Sequence, residues 1–198
     1  MPNLYEKLSR RTHALLSDLR HGGFTGGEMP SFDARRGLEN TVSTAHYLLR
    51  PLIDPVIQTG DVFVDIGCGK GRVLNWVLQD GRARHLYGIE INKTVAARVA
   101  HRLRNESRVT IIAGDALSSL PDSATLFYMW NPFGMDLMEQ LKAAIIAKYT
   151  QLGTLQKIRI IYHFCCCVEV WRNDERCIVT DIDIPSEERQ RAALIRFR

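Results

Sequence analysis

The run Val62-Phe63-Val64-Asp65-Ile66-Gly67-Cys68-Gly69-Lys70-Gly71-Arg72 constrains this chain more than any other segment. Its apolar, largely β-branched start reads as a buried strand, and the glycines at alternate positions turn the backbone sharply into a helix. Such a turn exposes backbone N–H groups at a helix N-terminus, which suits a carboxylate or phosphate, so a nucleotide-like ligand is expected at the strand's C-terminal end.

Downstream, short apolar runs alternate with helical stretches, the pattern of β-α units that build a parallel sheet. The expected strands are Val62 to Ile66, His85 to Ile89, Val109 to Ile112, Thr125 to Trp130 and Ile158 to Phe164; helices are expected around 71–79, 93–104 and 135–148. Cys177 to Ile184 and Ala193 to Phe197 lie too close in sequence for a crossover helix and are expected to pair as an antiparallel hairpin at the sheet edge. The fold class is therefore α/β: a Rossmann-like, seven-stranded, mostly parallel sheet with a C-terminal antiparallel hairpin.

The sequence ahead of the first strand differs in character. Leu4, Leu8, Leu15, Leu16 and Leu19 recur at helical spacing over 3–20, while 21–37 carries Gly22, Gly23, Gly26, Gly27, Pro30 and Gly37 and reads as a loop, a plain connection or a lid over the site. Ala45, Leu48, Leu49, Leu52 and Ile53 mark a second helical stripe that Pro51 is expected to kink or split. The expected organisation is a single domain over 1–198, with an N-terminal helical cover and loop at 1–57 and a ligand-binding core at 58–198.

Two further carboxylates follow the glycine turn. Glu90 closes the second strand, where an open nucleotide-binding sheet places the acid that accepts ribose hydroxyls. Asp115 sits in Gly114-Asp115-Ala116 after the third strand, positioned to accept from an exocyclic amine. Asp65, Glu90 and Asp115 thus end three successive strands, on the edge where such sheets bind ligands.

Composition narrows the setting. The net charge of +4, from 26 basic and 22 acidic residues without a like-charged block, favours anionic partners only weakly. The cysteines, three of them adjacent at Cys165, Cys166 and Cys167, lack zinc-site spacing and are odd in number, so buried packing in a reducing, cytoplasmic setting is expected. No early apolar stretch approaches a membrane span, and neither a metal nor a membrane partner is expected.

With these residues in view, the sequence resembles the class I S-adenosylmethionine-dependent methyltransferases, through D-I-G-C-G-K-G at 65–71, G-I-E at 88–90, G-D-A at 114–116 and N-P-F at 131–133. Within them it is similar to a small group that includes protein-lysine methyltransferases and uncharacterised bacterial members. The resemblance implies S-adenosyl-L-methionine as cofactor. It implies that Gly67, Cys68, Gly69 and Gly71 approach the methionine part, that Asp65 holds its amino group and that Glu90 with Ile91 binds the ribose. Asp115 and Ala116 would then contact the adenine, and Asn131 would line both cofactor and acceptor.

Asn131-Pro132-Phe133 is similar to the N-P-P-[YF] motif of enzymes that methylate planar nitrogens, and these three are the expected catalytic residues. The chain departs from that motif, with one proline and with Gly134 after the aromatic. Tyr47, Tyr162 and His163 are further candidates to face the acceptor. A protein side chain such as lysine is the first expectation for the acceptor, with a small molecule next and a nucleic acid less favoured; the oligomeric state is not legible. A nicotinamide dehydrogenase is disfavoured because Arg72 stands where the third glycine of G-x-G-x-x-G would fall. A module that binds the cofactor without transferring from it stays open.

Overall fold

Parallel pairing spreads outward from the strand that carries the glycine turn. The computed structural model describes Thr12, Leu16, Thr25 and residues 44–184 and 191–198. Apart from Thr12, Leu16 and Thr25, the helix expected over 3–20 and the loop at 21–37 lie outside the described residues. Strand β1 (Val62–Ile66) is buried throughout and pairs in parallel with β2 (His85–Glu90) on one side and β4 (Leu126–Trp130) on the other. Beyond them lie β3 (Val109–Ala113) and β5 (Arg159–His163), also parallel. The closing hairpin joins β6 (Cys177–Ile182) to β7 (Ala192–Phe197), and β7 inserts antiparallel between β5 and β6. The sheet order is β3-β2-β1-β4-β5-β7-β6. The expected seven-stranded, mostly parallel sheet forms, with the earlier strand of the hairpin outermost.

Successive strand residues point to opposite faces, and helices bury each face. On one side α1 (His46–Ile53), α2 (Arg72–Asp80) and α3 (Lys93–Arg102) pack Leu49, Leu74 and Val99 onto Phe63, Leu86 and Tyr128. On the other, α4 (Met135–Gln151) and α5 (Glu169–Arg172) pack Leu141, Tyr149 and Trp171 onto Val64, Phe127 and Ile160. The chain advances from β1 to β3 in one direction and from β4 to β5 in the other, so the order reverses between β1 and β4. That reversal opens a crevice at the C-terminal strand ends, where open α/β sheets bind ligands.

Two expectations change. Pro51 does not split α1: the helix runs on to Ile53, and Asp54 N–H donates to Arg50 O (3.1 Å), because fully buried Leu52 and Ile53 hold the last turn in place. The three adjacent cysteines do not all pack inside. Cys165 and Cys167 are buried, but the chain turns after β5 and leaves Cys166 exposed.

The opposite end of the sheet is tied by Asp61. Its Oδ1 accepts from Thr125 Oγ1 (2.7 Å) and forms an ion pair with the Arg159 guanidinium, and its Oδ2 accepts from Gln58 N–H (2.7 Å). One carboxylate thereby fixes the starts of β1, β4 and β5, the strands that flank the crevice. Among the described residues no helix is long and apolar enough to cross a membrane.

Candidate active site

The glycine loop leaves β1 with Gly67, Gly69 and Gly71 at φ of 71°, 50° and 76°. The N–H groups of Gly67 and Cys68 both donate to Ile89 O (2.9 and 3.0 Å), which pins the turn to β2. Gly71 caps α2 and is packed tightly, since a Cβ there would lie 2.9 Å from both Val99 Cγ1 and Arg102 Nη2. Arg102 reaches across from α3 to donate to Lys70 O (2.9 Å) and Asn75 Oδ1 (2.8 Å), clamping the loop from behind. Gly88 serves closeness, not conformation: a Cβ would meet Leu74 at 2.8 Å and Cys68 Sγ at 2.9 Å. Combining a left-handed φ with these contacts, Gly71→Ala should cost at least about 2 kcal/mol, measured as the loss of unfolding free energy in urea. A variant as stable as the parent would show that α3 yields freely.

Behind the loop is an open cleft lined by Thr44, Asp65, Gly67, Gly69, Tyr128 and Trp130 among others. Asp65 is 2% exposed, and its Oδ2 has no hydrogen-bond partner. Burial, then the nearby charge of Glu90, pushes its carboxyl up to about 8. A buried acceptor left unsatisfied costs free energy unless something donates to it. The cleft therefore favours a cationic donor at Asp65.

Glu90 is buried at the end of β2 and accepts from Gly69 N–H at Oε2 (3.0 Å) and from Asn92 N–H at Oε1 (2.8 Å). It braces the loop and the start of α3, whose N-cap is Asn92. Ile91 follows at 41% exposure, a bare apolar surface beside the cleft. Asp115 is exposed, its Oδ1 accepting from Leu117 N–H (3.0 Å) in a local turn, and Ala116 is buried.

The other rim is formed by the ends of β4 and β5. Asn131 adopts φ 36°, an uncommon conformation for a residue other than glycine and a form of strain that clusters at functional sites. Its N–H donates to His163 O (3.1 Å). Cys167 N–H donates to Tyr162 Oη (3.1 Å), so the Tyr162 hydroxyl hydrogen is directed to Asn131 Oδ1 (2.8 Å). Burial raises the Tyr162 pKa, which keeps that hydroxyl a donor. Pro132 lies against the glycine loop, 3.5 Å from where a Cβ of Gly67 would stand, and Phe133 is buried.

Tyr162 and His163 do not face an acceptor. Both are fully buried because β5 lies inside the sheet, and they act on their neighbours. His163 pairs through Nδ1 with Tyr128 Oη (2.9 Å) and stacks on Trp130, centroids 5.7 Å apart. Tyr128 Oη in turn pairs with Thr44 Oγ1 (2.8 Å). Trp130, part-exposed and lining the cleft, keeps a buried Nε1–H without a partner. Sequence reasoning missed Trp130, Tyr128 and Arg102, whose roles arise from contacts between residues distant along the chain. Tyr47, also expected to face the acceptor, is 39% exposed on α1.

Arg72, first residue of α2, binds Thr25 and Thr44. Its Nε donates to Thr25 Oγ1 (2.9 Å) and its Nη1 to Thr44 O (3.1 Å). Thr25 is 1% exposed.

Residues 63–152 match the family described as Methyltransferase domain. Over this segment the chain carries a methyltransferase domain, in keeping with the S-adenosylmethionine-dependent methyltransferases. The fold is shared with the B. subtilis M1A22 tRNA methyltransferase TrmK (16% identity, 78% of this chain and 66% of that one, TM-score 0.60). It is shared also with the 23S rRNA methyltransferase ErmE (14% identity, 79% and 69%, TM-score 0.54) and the mitomycin 7-O-methyltransferase MmcR (16% identity, 70% and 49%, TM-score 0.55). This chain thus spans about half the length of the last and about two thirds of the others. At these identities the likeness is one of fold. Among curated proteins, none matches this sequence.

A methyltransferase domain implies S-adenosyl-L-methionine as the methyl donor. The cleft fits it on its own terms. The orphaned, buried Oδ2 of Asp65 suits an ammonium, the glycine loop leaves room for close approach, and Ile91 offers an apolar surface to a ring. Among the described residues no cluster of His, Cys, Asp or Glu is arranged to hold a metal.

Proposed function

We propose that this methyltransferase acts on a nitrogen of its acceptor. The cofactor would be held by Asp65, Gly67, Cys68, Gly69, Gly71, Glu90, Ile91, Asp115 and Ala116, with Asn131, Pro132 and Phe133 facing the reacting atom. When bound, the cofactor supplies an electrophilic methyl group on a sulfonium. The residues of this chain align the nucleophile with that methyl and exclude water, the main demands of an in-line displacement.

The observation that carries the proposal is Asn131, whose backbone takes a positive φ at the rim and whose Oδ1 accepts from Tyr162 Oη. Tyr162 occupies one lone pair of Oδ1 and leaves the other to accept from an acceptor N–H. Pro132, against the glycine loop, sets the backbone beside the cofactor. Burial around Tyr128 and Trp130 also favours a nucleophile that has shed its proton.

For the molecule that carries this nitrogen, a protein side chain such as lysine is supported by the aromatic wall of Tyr128 and Trp130, a setting that attracts an ammonium. An RNA base is supported by the cations Lys70 and Arg72 at the cleft and by a basic helix beside it. The fold relatives act on tRNA, on 23S rRNA and on a mitomycin, so each class has precedent in this architecture.

Incubating the purified enzyme with methyl-labelled cofactor and separate protein, RNA and small-molecule extracts tests the reading. Acid- and base-stable label on a nitrogen is the expected product, and label only on oxygen or carbon overturns it. Asn131→Ala should reduce transfer at least a hundredfold, in the range lost when a positioned polar group is removed from an active site. Its affinity for S-adenosylhomocysteine should stay unchanged; retained transfer would return Asn131 to a purely structural role.

A further inference from the structure

Helix α3 is more basic than its packing requires. It carries Lys93, Arg98, His101 and Arg102 and no acidic residue. Val95, Ala96 and Val99 face the sheet, and Arg102 is spent on the glycine loop. Lys93, Arg98 and His101 remain exposed on the outer side, joined by Arg104, which donates to His101 O (2.9 Å). Neither Lys93 nor Arg98 makes an ion pair among the described residues, although Arg82, on the same face of the sheet, is paired with Asp80 and Asp54.

Lys93, Thr94, Ala97, Arg98 and His101 line a shallow groove along this face. At 1.5 Å per residue the helix offers a track about 15 Å long. Its first turn follows directly from Glu90 and Ile91, so one end of the track opens at the cofactor cleft.

We infer that the exposed face of α3 is a docking surface for the phosphate backbone of RNA, which delivers an acceptor base to the cleft. The inference rests on the nitrogen-methyltransferase reading and names its macromolecular acceptor. Unpaired cations spaced along a groove match a chain of phosphates and not a single anion. Between them Thr94 and His101 present groups able both to donate and to accept, as recognition of a 2′-hydroxyl requires. A lysine-bearing peptide would meet repulsion on the same track.

The test uses the full-length protein and a fluorescein-labelled RNA hairpin with a single-stranded loop, followed by anisotropy. Binding should weaken steeply between 50 and 200 mM salt, with a log–log slope of roughly −0.7 for each phosphate contacted. Lys93→Glu combined with Arg98→Glu should lower RNA affinity at least tenfold and flatten that slope. Affinity for S-adenosylhomocysteine should not change, because neither residue touches the cofactor site.

Absence of RNA binding at 50 mM salt, equal binding by the charge-reversed variant, or equal binding of the corresponding DNA or of polyglutamate would each overturn the inference. Nitrogen methylation of a peptide without RNA binding would overturn it too and leave the parent reading standing. Failure of the unmodified protein to bind S-adenosylhomocysteine would count instead against the cofactor site.

Discussion

Asp65→Ala is expected to weaken S-adenosylhomocysteine binding more than tenfold, at least about 1.4 kcal/mol, when measured by calorimetric titration. The expectation follows from a carboxyl that is buried, unpartnered at Oδ2 and raised to about 8. Because its folded-state pKa lies above the unfolded value, Asp65 is protonated in the free enzyme at neutral pH while its unfolded counterpart is ionised. The cofactor-free protein therefore loses stability from this group as pH rises from about 4 to about 8, and the loss levels off above that.

A bound ammonium reverses the balance by favouring the carboxylate. At pH 6.5 binding should release close to one proton, measured from the dependence of the titration heat on buffer ionisation enthalpy. Affinity should climb toward pH 8 and then fall as the ligand's own amine, near 7.7–8.0 in reference compounds, loses its charge. Asp65→Asn should abolish the proton release. Unchanged affinity in Asp65→Ala, with the same proton count, would remove Asp65 from the site.

The largest expected effect on stability lies at the other end of the sheet. Removing one partner of a buried ion pair strands the other charge, so Asp61→Ala should cost about 3–5 kcal/mol in urea-induced unfolding. Asp61 is 5% exposed and Arg159 has its guanidinium tied to Asp61 and Val56 O. Replacing both, as Asp61→Leu with Arg159→Met, should recover most of the loss, since no charge is then left buried. A single variant within about 0.5 kcal/mol of the parent would mean that water already reaches this pair.

How much of this was legible beforehand depends on whether the determining contacts are local. The strand, turn and helix over 62–80 follow from glycine spacing and apolar runs, both short-range properties, and the structure matches that reading to within a residue or two. The hairpin at 177–197 was legible from its short connection, but its insertion with β7 inside was not, because apolar pattern does not say which hairpin strand meets β5. Helix α5 escaped detection because Glu169–Arg172 is too short to show a period.

The candidate site divides in the same way. Asp65, Glu90 and Asp115 stood out because each ends a strand. Tyr162 and His163 look exposed in sequence because each stands near a strand end, whereas packing on the two faces of β5, Tyr162 within the core and His163 against Tyr128 and Trp130, buries them. The Arg102 clamp joins α3 to the glycine loop and α2 across the intervening β2, and no pairwise spacing encodes it.

The placement of β7 also sets an order of assembly. On a growing polypeptide β6 is made before β7, yet among the described residues its one hydrogen-bonded neighbour in the sheet is β7, and β5 likewise lacks its outer partner until Ala192–Phe197 arrives. The ribosome must therefore deliver both halves of the hairpin before the edge can close. Until then β5, with Tyr162 and His163 beneath the rim, presents an open strand edge to whatever chaperone or nascent neighbour is at hand.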